Sequence, residues 1–498
     1  MAATFLKITV TLLLSFSIIS NGQDVKDRYY PRYHLAPPYG WMNDPNGFSV
    51  FNNEYHLFYQ HNPNSSFTST VVHWGHAKSP DLVHWEHLPI ALYPDQWYDA
   101  GGVFSGSTLV ENDTMHVFYT GNINLEGQTP STANKQAYAT STDGVTFTKY
   151  EGNPIIPAED RQPNIRDPKV WKHNDTYYMV LGNSYNNDTL GRVLLYSSTD
   201  KINWKEESII DQSNGTMGYM WECPDFFELG GKFVLLFSPQ GLAAEGDKYQ
   251  NLYQTGYILG DFDYSTLKFT PTSEFKELDH GHDVYATQTV LDNDGRRIVV
   301  AWMDMWDRNY PESSDGFTGL MTLPRELTLS SDGIIIQKAV DGISKAKGRN
   351  LHPFKSFKHR HSRMYILRNK AGEINVHADG SKDFKLYIGS GRVQVSISYD
   401  ADKGQVTLDR GGTDGVRRTE WKPDGQLKWR IFVDASSIEL FCGEGEVTFT
   451  SRFFPEGPVE VRLAQQSRAE HVSVHEIQRT VPHGGYYNKH WCFLCHIG

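Results

Sequence analysis

Three acidic residues stand in closely similar surroundings: Asp44 in WMNDPNG, Asp167 in NIRDPKV and Glu222 in MWECPDF. Each precedes a polar turn and a short apolar run. Asp44 lies 11 residues before Tyr55 of NNEYHLFYQ, Asp167 lies 10 before Tyr177 of NDTYYMVLG, and Glu222 lies 11 before Phe233 of LGGKFVLLFS. Singly, each acid has an ordinary reading. Asp44 could shape an Asx turn in which Asn46 and Gly47 reverse the chain into a hairpin; Asp167 could pair with Arg166; Glu222 could be a strand-end acid. Recurrence at one place in a pattern argues for shared chemistry. Clustered carboxylates repel one another and resist desolvation unless neighbours offset the charge. Cleavage of a glycosidic bond uses such a set: one carboxylate attacks or activates water and another protonates the leaving oxygen. A metal site would need several oxygen ligands close together, as in an EF-hand loop, and no such run occurs; LDNDGRR (Asp292 to Arg297) reads as a hairpin turn. P-loop, HExxH and GxSxG motifs are absent.

The elements that must position these acids repeat. NNEYHLFYQ, NDTMHVFYT, NDTYYMVLG, LGGKFVLLFS and NDGRRIVVAW align from Tyr55, Met115, Tyr177, Phe233 and Arg297, at spacings of 60, 62, 56 and 64 residues. A second strand-like element entered by a Ser/Thr/Asp turn follows most copies: SPDLVHW, STDGVTF, SSTDKINW and DFDYSTLKF. Five such all-β units predict a five-bladed β-propeller, in which each blade's innermost strand lines a central channel. A sandwich of duplicated hairpins would not explain five nearly equal spacings. The strand before each hairpin strand is the innermost, so the three acids are expected in one slot facing the axis. Phe104–Ser105 of VFSGS and Ala286 of DVYATQT fill that slot in the second and fifth units.

Composition narrows the partners. The 498-residue chain suits two domains, and its formal charge of −12, with no basic patch, argues against nucleic acid and for a neutral substrate. The 12 Trp, 27 Tyr and 26 Phe suit strands and stacking on sugar rings. Residues 1–22, with Lys7 ahead of the apolar Ile8 to Ile19, read as a signal peptide rather than a membrane anchor, and predict a secreted protein. Sequons at Asn64, Asn112, Asn174, Asn187 and Asn214 are then acceptors for N-glycans. Four cysteines in so long a chain make no disulfide framework; Cys492 and Cys495 form a lone CxxC, read as a local disulfide or part of a loose tail rather than a zinc site. Cys223, beside Glu222, is expected to be a buried free thiol.

The expected domains are the propeller over 23–335, a linker or short helix over 336–350, an antiparallel β-sandwich over 351–480 with runs such as RVQVSISYD and SSIELF, and a tail over 481–498. No acid constellation occurs in the sandwich segment.

WMNDPNG, the RDP of Arg166–Pro168 and WECPD resemble, in order and separation, the three signature blocks of glycoside hydrolase family 32. FYQHNP, WGHAKSPDLVHW, FSGS and DVYATQT extend the likeness over about 33–330, and WRIFVDASSIELFCGEGEVTFTSRFFP resembles that family's C-terminal sandwich. The resemblance implies a β-fructofuranosidase acting with retention and without cofactor or metal. Asp44 would be the nucleophile, Glu222 the acid/base, and Asp167 the stabiliser of the oxocarbenium-like transition state, with Arg166 holding Asp167 charged. Asn43, Gln60, Trp74, Phe104, Ser105, Arg166 and Trp302 would line the fructose pocket. SPQGLAAEGDKYQNLYQTGYILGDFD is similar to the bacterial sucrose-hydrolase branch, some of whose members take sucrose 6-phosphate. A secreted enzyme similar to the insect β-fructofuranosidases, acting on sucrose and also on raffinose or short fructans, is the expectation; a fructosyltransferase and a catalytically silent sugar-binding propeller are the alternatives.

Overall fold

The polar turns of the repeat each close a hairpin. Asn52–Asn53 joins strand Gly40–Phe51 to Glu54–Asn62, and Asn112–Asp113 joins Gly102–Glu111 to Thr114–Asn124. All four turn residues have φ between 50° and 62°, a left-handed conformation that Asn and Asp tolerate. The same hairpin recurs as Ile165–His173 with Thr176–Tyr185, Met220–Leu229 with Lys232–Gln240, and Tyr285–Leu291 with Arg297–Trp302. The first reversal therefore falls at Asn52–Asn53, and the expected turn at Asn46 and Gly47 lies inside a strand. The computed structural model describes residues 25–124, 132–157, 164–355 and 363–484. The signal read over 1–22 lies outside the described residues, as do positions 485–498 of the tail with Cys492 and Cys495.

Each hairpin is the inner half of an antiparallel sheet, giving the five-bladed propeller. Innermost strands pack against those of both neighbouring blades, and the first packs against the fifth, closing the ring. A short strand returning from blade five, Phe317–Thr318, runs parallel to Gly40–Trp41 and stitches the closure. Apolar side chains fill the spaces between blades. Phe58 and Trp74 of blade one meet Val117 and Tyr119 of blade two, and Leu235 and Phe237 of blade four meet Val180 and Val193 of blade three. Burial on both faces explains near-continuous apolar runs such as KFVLLFS, where an exposed sheet would alternate.

The expected linker 336–350 is mostly regular structure. Ile335–Ala339 is the outer strand of blade five, Gly342–Lys345 is one helical turn, and Lys347–Asn350 joins the edge of the next sheet. Pairing with Arg325–Leu329 is what draws 336–339 into the propeller. Beyond it, a six-stranded and a seven-stranded antiparallel sheet stack around Ile374, Ile388, Ile397, Trp429 and Leu440, completing an all-β architecture. Cys442 is buried and free in this sandwich.

The two domains are joined through buried charge. His34, ahead of the first blade strand, places Nδ1 2.8 Å from Asp434 and Nε2 2.8 Å from Glu439, both on sandwich strands. Glu439 also accepts from Arg325 of blade five at 2.6 Å. Burial opposes a charge on His34, but the hydrogen bonds and charges of Asp434 and Glu439 outweigh it and lift its pKa to about 9. The imidazolium is thus favoured by folding: its contribution is full below the ordinary histidine range and is lost as pH rises through about 9. Removing one member of such a buried set costs roughly 3–5 kcal/mol. The melting temperature of wild type should fall as pH is raised from 7 through 9, and His34→Gln should unfold at lower temperature with a shallower loss over that range. Parallel curves for the two proteins would show that His34 does not carry the charge.

Candidate active site

The innermost strand of every blade breaks register at one level. Pairing skips between Met42 and Pro45, Phe104 and Gly106, Arg166 and Lys169, Glu222 and Asp225, and Tyr285 and Thr287. Such bulges bend a strand and re-aim its side chains. The slots at the five breaks are Asp44, Ser105, Asp167, Cys223 and Ala286; Asp167, Cys223 and Ala286 have φ of 66°, 48° and 51°. Glu222 is one residue earlier, level with Phe104, Arg166 and Tyr285, each the last paired residue before its break; in blade one that residue is Met42, and Asn43 and Asp44 both lie in the gap. The expectation that all three acids share a slot is therefore corrected. Blade one carries a second register break between Asn46 and Ser49, which adds one residue to its count. Gly47 sits in that break at φ 55°, where a Cβ would lie 2.6 Å from the Phe58 ring and 2.7 Å from Thr108.

Asp44 is buried among donors. Ser105 Oγ donates to its Oδ2 at 2.7 Å, Asn43 Nδ2 to its Oδ1 at 3.1 Å, and the Cys223 thiol lies 3.5 Å from Oδ2. Gln60 Nε2 is 2.6 Å from Ser105 Oγ, and Trp41 Nε1 donates to Asn43 Oδ1 at 2.8 Å, so both donors are themselves oriented. Burial and the Glu222 charge raise the Asp44 pKa, while the three donors oppose the rise. Asp167 Oδ2 accepts from the Cys223 backbone N–H at 2.9 Å. Burial pushes Asp167 up to about 7; Arg166 opposes the shift, and the charges of Glu222 and Asp44 add to it. Cys223 is a buried free thiol, pushed well up by burial and by the three carboxylates.

Arg166 does not bond Asp167. Its Nε and Nη2 donate to Glu222 Oε1 at 3.0 and 2.7 Å, because Arg166 and Glu222 occupy equivalent positions on adjacent blades. Glu222 Oε2 accepts from Gln240 Nε2 at 2.6 Å and from the Tyr285 hydroxyl. The result is two carboxylates, Asp44 and Asp167, beneath a third at the mouth that is gripped by an arginine, an amide and a phenol. Such a set can attack a carbon, protonate a leaving oxygen and stabilise positive charge between them.

This arrangement has relatives. The model of the "Glycosyl hydrolases family 32 N-terminal domain" matches residues 34–339, and that of "Glycosyl hydrolases family 32 C terminal" matches 343–479. The chain belongs to glycosyl hydrolase family 32. A sucrose-6-phosphate hydrolase of Escherichia coli is 39% identical over 456 residues, covering 88% of this chain and 91% of its own. A raffinose invertase of Escherichia coli is 39% identical over 438 residues, covering 86% and 90%. The solved Bombyx mori GH32 beta-fructofuranosidase superposes with a TM-score of 0.86 at 42% identity, covering 92% of this chain and 96% of that one. The family 32 chain is accordingly a glycoside hydrolase.

Of the residues expected to line the family 32 pocket, Asn43, Ser105 and Arg166 touch its carboxylates directly, and Gln60 acts through Ser105. Phe104 stands level with Glu222 and receives the Trp74 Nε1–H on its carbonyl at 2.9 Å. Trp74 itself is fully buried between blades one and two, and Trp302 is fully buried beside Trp41, Tyr285 and Cys223, with its Nε1–H unpartnered among the described residues. Tyr285 and Gln240 were missed. Tyr285 had a legible signal, since it precedes the fifth-blade slot as Glu222 precedes the fourth. Gln240 had none: it reaches Glu222 from the far end of the hairpin partner strand.

Ser105→Ala removes a donor that lowers the Asp44 pKa. The acid limb of the kcat/KM profile should move to higher pH with the alkaline limb unchanged. An unmoved acid limb would show that this hydrogen bond does not set the titration.

Proposed function

We propose that this enzyme is a β-fructofuranosidase of the invertase type, hydrolysing sucrose with retention at the anomeric carbon. The observation that carries the reading is the opposed environments of Asp44 and Glu222. Three donors surround Asp44 as a buried carboxylate, whereas Glu222 is partly exposed at the mouth and held by Arg166, Gln240 and Tyr285. Asp44 attacks the fructosyl anomeric carbon as its bond to the glycosidic oxygen breaks, and Glu222 gives its proton to that oxygen, releasing glucose. Glu222, now ionised, takes a proton from water; the resulting hydroxide displaces Asp44 and frees fructose. Asp167 stabilises the positive charge of both transition states through sugar hydroxyls, whose donation offsets the burial that raises its pKa. Of the Glu222 partners, Arg166 fixes Oε1 and the Tyr285 hydroxyl and Gln240 amide fix Oε2, so the carboxyl group is oriented for transfer to and from the leaving oxygen.

Relatives include both sucrose-6-phosphate hydrolases and a raffinose invertase, so the leaving group is the finer question. Arg166, the cation at the mouth, is already engaged by Glu222, which favours an uncharged leaving sugar. An extracellular setting agrees with this. The apolar segment after Lys7 has the form of a signal, and Asn64, Asn112, Asn174, Asn187 and Asn214 are all exposed, as N-glycosylation requires. Raffinose and short fructans are the further substrates proposed.

The test is glucose and fructose release from sucrose, raffinose, inulin and sucrose 6-phosphate. Sucrose should have the highest kcat/KM, and Asp44→Asn should lose more than about a hundredfold with an unchanged circular dichroism spectrum. A smaller loss overturns the nucleophile; faster turnover of sucrose 6-phosphate overturns the substrate.

A further inference from the structure

The exposed side of the catalytic mouth carries Trp306, a tryptophan 36% exposed on the loop that follows the second strand of blade five. It stacks on Trp41 with centroids 6.0 Å apart and planes 18° from parallel, and leans on Trp302 at 4.7 Å. Trp41 in turn orients Asn43, which donates to Asp44. A rigid aromatic plane thus extends outward from the nucleophile, and such a face suits the C–H side of a neutral sugar ring.

What holds this loop comes from the other domain. Asp304, two residues before Trp306, is fully buried and bonded to Arg452 of the sandwich strand Val447–Arg452. The same guanidinium donates to Glu312 Oε1 at 2.6 Å and to the Met303 carbonyl at 3.3 Å, and its Nε is anchored on the Ser436 carbonyl at 3.0 Å. Asp304 Oδ2 and Glu312 Oε2 have no hydrogen-bond partner among the described residues, so Arg452 is the chief answer to two buried acids. Arg308, just beyond Trp306, is held similarly: it donates to Asp283 and Asp414, each at 2.7 Å, and Arg410 of the sandwich closes on Asp283 at 2.6 Å. Both ends of the segment bearing Trp306 are therefore fastened to the sandwich.

We infer that the sandwich domain is part of the substrate-binding apparatus: Arg452 is a positioning residue that sets Trp306 as the platform for the sugar unit lying outside the carboxylate ring. The inference rests on the sucrose-hydrolysis reading. Trp306→Ala should raise KM for sucrose about three- to tenfold, the size of one aromatic contact, with kcat little changed. Arg452→Lys, which keeps the charge but loses the fork, should raise KM in the same way at temperatures where circular dichroism shows the native fold, and Asp304→Asn provides the same test from the other side of the pair. In a Trp306→Ala background either change should add less than about twofold, because the platform it positions is gone. Arg325→Lys, which loosens the interface elsewhere, should lower the melting temperature without moving KM.

An unmoved KM in Trp306→Ala, or full multiplication of the Trp306 and Arg452 effects, would overturn the inference. So would an equal KM shift in Arg325→Lys, which would mark a general loosening. A wild-type enzyme releasing no glucose from sucrose defeats the activity reading instead, so the two failures are distinguishable.

Discussion

Gathering three carboxylates around one axis is a cost that the rest of the molecule is arranged to meet. Burial and mutual repulsion both favour protonation, so each acid needs its own set of donors at a fixed place. The bulge repeated in all five inner strands supplies that place. It re-aims one side chain per blade and leaves the preceding residue to reach across to a neighbour. Asp44 is thereby met by Ser105 from blade two and Cys223 from blade four, and Glu222 by Arg166 from blade three and Tyr285 from blade five. None of these pairs is local in sequence. The chemistry exists only because the ring closes.

Much of this was legible beforehand, for a physical reason. A propeller repeats its hairpin, so polar turns and apolar strands recur at near-constant spacing, and acids standing out against that pattern reveal themselves. Asp44 and Asp167 were placed correctly. Glu222 was placed one residue off because counting treats every strand as regular, whereas the extra bulge at Gly47 lengthens blade one by a residue. Arg166 does favour the charged form of Asp167, as expected, but its hydrogen bonds go to Glu222, because successive strand residues point to opposite sides. Gln240 and Arg452 left no signal, because their roles depend on strand pairing and domain packing.

The sandwich illustrates how a domain without catalytic groups can bear on catalysis. His34, Arg325 and Arg452 are buried cations at its boundary with the propeller, and each is answered by acids from across that boundary or beside it. Contacts of this kind contribute less to net stability than their geometry suggests, because desolvation offsets the attraction. Their directionality is the more useful property, since it fixes one relative placement of the domains and, through the 303–316 segment, the outer wall of the mouth.

The central claim is that Asp44, and no other member of the carboxylate ring, forms the bond to the sugar. It is tested most directly by mass spectrometry of Glu222→Gln incubated with a fructosyl donor carrying a fast leaving group, such as β-fructosyl fluoride. Departure then needs no acid, while hydrolysis of the intermediate lacks its base. A fructosyl adduct should accumulate on the peptide containing Asp44. An adduct on Asp167, or turnover of the donor with no covalent species and with inversion in the product, would contradict the claim.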